Sequence, residues 1–174
     1  LIKVIGGRLL LKVLLTRILI IKTMFKKLLA TKHQVTPLVL RLTMALVIWP
    51  HGAQLLLGWF GGYGYTGSMG YFTSQGLPYL IGFLVISLQF FGSIFIMLGL
   101  GTRFLALAML MLFSGMILTV HLPVGFFMNW YGSQKGEGYE YHLLMIGIAI
   151  SLLISGGGIW SIDRKLTTTT HKDV

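Results

Sequence analysis

The sequence predicts an all-α polytopic membrane protein, a four-transmembrane-helix bundle with both termini cytoplasmic. Three observations predict it: four long apolar stretches, scarce charge, and the placement of the charge that is present. The stretches cover residues 38–57, 77–100, 104–122 and 143–154. At about 1.5 Å rise per residue, about 20 residues cross the hydrocarbon layer, and the first three reach that length. The fourth is shorter and needs its flanks, His142 on one side and the glycine run at 155–160 on the other, to reach both interfaces. Of the 174 residues, 55% are hydrophobic and 10% charged, with a mean hydropathy of +0.83. A soluble domain carries about 25% charged residues and needs them to cover its outside.

The formal charge of +10 suggests nucleic acid until its distribution is followed. Arg41 opens the first stretch, Arg103 lies in the turn between the second and third, and Arg164 with Lys165 follows the fourth. Four crossings place all of these on one side. The loop after the first stretch has no Lys or Arg, and the loop before the fourth has only Lys135. The positive-inside tendency then puts both termini and the 101–103 turn in the cytoplasm, with the glycine- and aromatic-rich loops outside. No nucleic-acid partner is expected, and the bilayer is the first partner. The absence of cysteine excludes disulfides, thiolate metal sites, thioredoxin-like chemistry and covalent haem attachment.

Residues 1–23 hold Lys3, Arg8, Lys12, Arg17 and Lys22. At about 100° per residue these fall all round a helix, which suits neither an amphipathic anchor nor a span with central cations. Met24, followed by Phe25-Lys26-Lys27, reads as a natural start, with the preceding segment an upstream extension. A signal peptide is disfavoured because no small-residue cleavage site follows a compact apolar region. The expected organisation is a basic leader over 1–36, a four-helix membrane domain over 37–166 and a polar tail over 167–174.

Polar groups gather at the expected outer level. The first span ends Trp49-Pro50-His51-Gly52-Ala53-Gln54, and His51 and Gln54, three apart, share a helix face. The third ends at His121-Leu122-Pro123 and the fourth opens with Tyr139-Glu140-Tyr141-His142. Taken singly, His51 and His121 are ordinary interfacial residues, Glu140 is a helix-start carboxylate, and Trp49, Trp59, Tyr63, Tyr65, Tyr79, Trp130, Tyr139 and Tyr141 form an aromatic belt. Together His51, Gln54, His121, Tyr139, Glu140 and His142 make a candidate ligand site, with no metal expected and no catalytic residue assigned. Gln89, in the middle of the second span, must face the bundle interior, either as glue to Ser87, Ser93, Ser114 or Ser151 or as a ligand partner. Residues 58–64 are glycine-rich but lack the Lys-Ser or Lys-Thr of a phosphate loop. Residues 71–76 suggest a short interfacial helix, and Gly82, Gly92, Gly99, Gly115 and Gly147 suggest close helix approach.

Several motifs in order carry a resemblance: Arg41-Leu42, Pro50-His51-Gly52-Ala53-Gln54, Gly58-Trp59-Phe60-Gly61-Gly62, Gly76-Leu77-Pro78, Leu98-Gly99-Leu100-Gly101-Thr102-Arg103, His121-Leu122-Pro123-Val124-Gly125-Phe126-Phe127 and Gly138-Tyr139-Glu140-Tyr141. Across about residues 38–166 the chain resembles the DoxX family of small four-span membrane proteins. The resemblance implies a bacterial plasma (inner) membrane protein associated with redox assemblies, including the membrane subunits of thiosulfate:quinone oxidoreductases. One departure is Gln89-Phe90-Phe91-Gly92-Ser93 where the family commonly has Glu-Phe-x-Gly-Gly, which removes a carboxylate from any proton-coupled role.

The expected function is therefore a redox-linked membrane subunit binding a quinone-like or other small amphipathic ligand near the outer face. His51 and His121 would serve as head-group partners, and Glu140 would orient one imidazole. No cofactor is visibly encoded beyond an implied quinone, so a redox partner protein would supply electrons and the chain would be an oxidoreductase subunit without its own centre. The alternative is a non-enzymatic assembly or stress-response module docking a partner through residues 125–141. Bis-histidine haem through His51 and His121, and a transporter built by homo-oligomerisation, are weaker readings.

Overall fold

The computed structural model describes residues 2–168, and among them every regular element is helical. Helix α1 spans Ile2–Leu29, α2 Thr36–Leu57, α3 Gly64–Ser74, α4 Tyr79–Leu98, α5 Thr102–His121, α6 Glu140–Ser155 and α7 Ile162–Thr168. Helices α2, α4 and α5 are long and apolar enough to cross a membrane, with 22, 20 and 20 residues, while α6 is a shorter apolar helix. The protein is a multi-pass membrane protein. The expected spans coincide with these four helices to within a few residues at each end.

Local chemistry sets the ends. Pro37 stands in the first turn of α2, where a missing N–H costs nothing, and Gly58 closes it in the left-handed conformation (φ 74°), its N–H bonded to the Ala53 carbonyl. At the end of α4, Gly99 (φ 67°) donates to Ile96 O and Leu100 to Phe95 O, both at 2.9 Å. That pair of bonds is a Schellman cap, which only a residue tolerant of positive φ can close.

Helix α2 is the centre of the bundle, packing on α3, α4 and α6; its contact with α4 is the most extensive in the bundle, followed by that of α5 with α6. Met44 and Ile48 of α2, Ile96 of α4, Ala106, Met109 and Phe113 of α5, and Met145, Ala149 and Leu152 of α6 make the core. Helix α4 meets α5 through its Leu88–Leu98 portion, whereas Tyr79–Ser87 rests on α3. The two helices therefore diverge along their length.

At the end where they converge, two buried charges tie the chain together. Arg41, 2% exposed, donates from Nη1 to the Met97 carbonyl and from Nη2 to Ile159 O (3.2 Å) and Trp160 O (3.1 Å). Asp163, also 2% exposed, accepts from the Gly101 and Thr102 N–H groups at 2.7 and 2.8 Å. One charge thus occupies the carbonyl end of α4 and the other the amide end of α5, each matching the sign of that helix terminus. Arg41 is accordingly a structural charge and not the surface marker of orientation its position in the sequence suggests.

The glycine run after α6 does not extend that helix. Gly156 (φ 75°) ends it, and the chain folds back over residues 31–37, Gly158 N–H donating to Thr31 Oγ1 (2.6 Å) and Ile159 N–H to Gln34 O (3.1 Å). Likewise, His142 lies inside α6 rather than before it.

Candidate functional site: a cavity between diverging helices

Where α4 parts from α5, a cavity of about 770 Å³ opens, walled by α2, α3, α4 and α5. That volume is within the range of small-molecule sites. Its walls are mostly apolar, and its polar groups include His51, Gln54 and Gln89. His51 is exposed at the mouth, while Gln89 is only 8% exposed. The Gln89 side chain has no hydrogen-bond partner among the described residues, and its amide is not fully enclosed, so it keeps access to the space it lines.

The position of Gln89 comes from backbone geometry. Residues Leu88–Gly92 form a π-turn within α4, and Ile117–His121 form another at the end of α5, where Leu122 N–H reaches Ile117 O at 2.8 Å. Each inserts an extra residue into its helix and re-aims the side chains around it. Gln89 belongs to the first, and Thr119 and Val120, also on the wall, belong to the second. Gly52 makes the closest crossing: a Cβ there would lie 2.5 Å from the backbone of Gln89 and Phe90. The Ser93 hydroxyl donates to the Gln89 carbonyl at 2.6 Å. The serine thus holds the Gln89 backbone, leaving the side-chain amide unengaged.

Gln54 is fixed by the loop that follows. Its Nε2 donates to Phe60 O (3.1 Å), and Gly62 lies so close to the Gln54 backbone that a Cβ would collide with it. Phe60 takes a positive φ of 53° in this turn, and Trp49 packs near Trp59, Phe60 and Phe90. The expected interfacial helix is present but begins earlier, at Gly64, and its Tyr65 hydroxyl meets Tyr79 at 2.7 Å. That hydrogen bond raises the Tyr65 phenol above its ordinary range.

The remaining candidates form a second group. The His121 and His142 rings stand 4.1 Å apart, with Phe113 and Tyr141 around His142. His121 Nδ1 pairs with the Glu137 carbonyl at 2.8 Å, whereas His142 Nδ1 and the Tyr141 hydroxyl are buried without partners among the described residues. Glu140 does not orient an imidazole. Its Oε1 accepts the Met128 N–H (2.9 Å) and the Trp130 indole N–H (3.4 Å), fixing the loop over α6. Tyr139 donates its backbone N–H to Gly125 O and stacks edge-on against Phe126. None of these four residues lines the cavity.

The residues that wall the cavity all fall between His51 and Val120, on α2 to α5 and the turns joining them. The DoxX family matches residues 36–122, the same helices. The chain belongs to the DoxX family. The DoxX match thus contains the whole cavity, with α6 and α7 beyond it. The chain is similar to a Bacillus subtilis (strain 168) protein named "Putative oxidoreductase CatD", 23% identical over 130 residues, which are 75% of this chain and 86% of that protein. No solved structure gives a significant match.

Sequence reasoning missed several residues of this DoxX structure. Thr119, Gln75 and Tyr71 of the wall carry no signal distinguishing them from other polar interfacial residues. Asp163 did leave one, being one of four carboxylates in the chain and following an apolar helix. Gly115 and Gly147 do not mediate close packing, since a Cβ at either would meet nothing within 4 Å, and Gly115 instead lines the cavity. Gly82 does approach closely, against Met69 and Phe72 of α3.

Proposed function

We propose that this DoxX protein is a redox-linked subunit of a bacterial plasma membrane that binds a quinone-like amphipathic molecule between α4 and α5. The observation that carries the reading is Gln89, a mostly buried residue whose side-chain amide has no hydrogen-bond partner among the described residues and opens on a cavity of ligand size in a membrane bundle. An unpaired amide in such surroundings is costly, and a ligand oxygen or hydroxyl satisfies it. His51 at the mouth and Gln89 within are the head-group partners, replacing the His51 and His121 pair that the sequence suggested. The sequence offers no cysteine ligand set or nucleotide-binding motif, so electrons come from a partner protein. The oxidoreductase name of the Bacillus relative supports the redox association. Purified protein in detergent should bind a tailed benzoquinone saturably, and His51→Ala with Gln89→Leu should weaken it by about tenfold or more. Unchanged binding in the double variant rejects the assignment.

A second reading, a docking module for a partner protein, rests on the loop between α5 and α6. Glu137, Glu140 and Asn129 hold that loop by side-chain bonds to backbone N–H groups, while Trp130 and Tyr131 are 80% and 95% exposed. Rigid, solvent-facing aromatics suit an interface. A photo-crosslinker at Tyr131 that captures one dominant protein in cells favours this reading; capture of lipid alone removes it.

A further inference from the structure

The cavity's walls contain His51 and amide and hydroxyl groups but no Lys, Arg, Asp or Glu. A sulfonate, carboxylate or ammonium head would lose its hydration on reaching Gln89 and find no fixed opposite charge there. Among the described residues the buried charges, Arg41 and Asp163, are committed to helix ends on the opposite side of the bundle. An uncharged head with a hydrogen-bonding oxygen meets no such penalty. The amide donates to that oxygen through Nε2, or accepts from a hydroxyl through Oε1.

The opening faces sideways. Ile81 of α4 and Met111 of α5 line the cavity yet are 44% and 62% exposed, so they form its rim on the apolar outer surface of the bundle. These rim residues lie within the spans, where the surrounding medium is acyl chain. Between them the wall includes Gly115, where a Cβ would meet nothing within 4 Å.

Resting on the reading of the cavity as a ligand site, we infer that it admits an uncharged, lipid-soluble molecule laterally from the bilayer, through the gap between α4 and α5, and rejects anionic heads. A water-soluble oxyanion substrate of any associated redox reaction is therefore handled by a partner and not at this site.

The test uses the full chain in neutral-lipid nanodiscs, with tritiated decyl-tailed benzoquinone as probe and decanesulfonate as an anionic competitor of equal tail. Wild-type protein should bind the quinone saturably, with decanesulfonate competing at least about tenfold more weakly than unlabelled quinone. Gly115→Leu, which fills the slot, should weaken binding by at least about tenfold, and Gly115→Ala by less, with thermal unfolding of both at or above the wild-type temperature. Equal competition by decanesulfonate overturns the charge selection while leaving the cavity as the site. Quinone binding unchanged in Gly115→Leu overturns the cavity itself, and absence of saturable binding to the wild type overturns both.

Discussion

At Gly52 the missing side chain sets the distance between α2 and the π-turn of α4, and so the place of Gln89 in the cavity. A methyl group at this position would lie 2.5 Å from backbone atoms of Gln89 and Phe90, which cannot rotate away. Alanine is favoured over glycine in a helix by about 1 kcal/mol, but overpacking of this kind costs about 1–3 kcal/mol and moves the neighbouring backbone. Gly52→Ala should therefore lower thermal stability in detergent and displace Gln89, reducing quinone binding with it. Retention of both would show that the crossing relaxes freely. The contrast with Gly115, where the added atom meets nothing, explains how far single residues were legible. His51, Gln54 and Gln89 stand out in sequence because polar groups in apolar helices demand a reason, and the structure puts them on one cavity. That His121 and His142 belong to a different group was not legible. The partition depends on helix divergence and on two π-turns, and no composition or periodicity marks either. The two roles of glycine, crossing point and cavity wall, look identical in the chain.

Helix ends show the same division. The cap of α4 can be read locally, because Leu98-Gly99-Leu100 places glycine where positive φ is needed. The start of α5 cannot, because its amide groups are served by Asp163, about sixty residues onward. Asp163→Asn keeps a side-chain oxygen for capping but removes the negative charge from the α5 amide end, where charge-assisted bonds of this kind contribute on the order of 1–3 kcal/mol. A clear fall in the unfolding temperature of the detergent-solubilised variant is expected, whereas an unchanged value would mean that a neutral acceptor serves the α5 amide groups equally well. Element length was legible only where the sequence run and the helix coincide. Helix α6 has 16 residues, about 24 Å of rise, against about 30 Å of hydrocarbon, because Gly156 turns the chain before the apolar composition gives out.

For the whole molecule, long-range bonds decide which segments share an end. Ile159 N–H reaches Gln34 O, Arg103 donates to Lys27 O and Ile154 O, and Asp163 N–H reaches Gly99 O. Residues 27–34, 99–103 and 154–163 therefore lie together. The chain must traverse the bundle an even number of times between each pair, along α2 and α4 and then along α5 and α6. To cross, the short α6 must reach the far interface through local bilayer thinning or through its flanking loop. Lys26, Lys27, Lys32, Arg103, Arg164 and Lys165 belong to this end, against Lys135 in the α5–α6 loop, so the positive-inside tendency predicts that this end is the cytoplasmic one. The absence of cysteine makes the test direct, since any introduced thiol is the only one present. In intact cells His33→Cys should resist a membrane-impermeant maleimide until the membrane is permeabilised, while Ser133→Cys should react at once. Both positions are exposed in the structure, so reactivity reports side and not burial. Reversed labelling would invert the protein without altering its cavity; labelling of both from one side would mean that α5 and α6 do not cross, and that the loop carrying Trp130 and Tyr131 lies on the same side as Arg103.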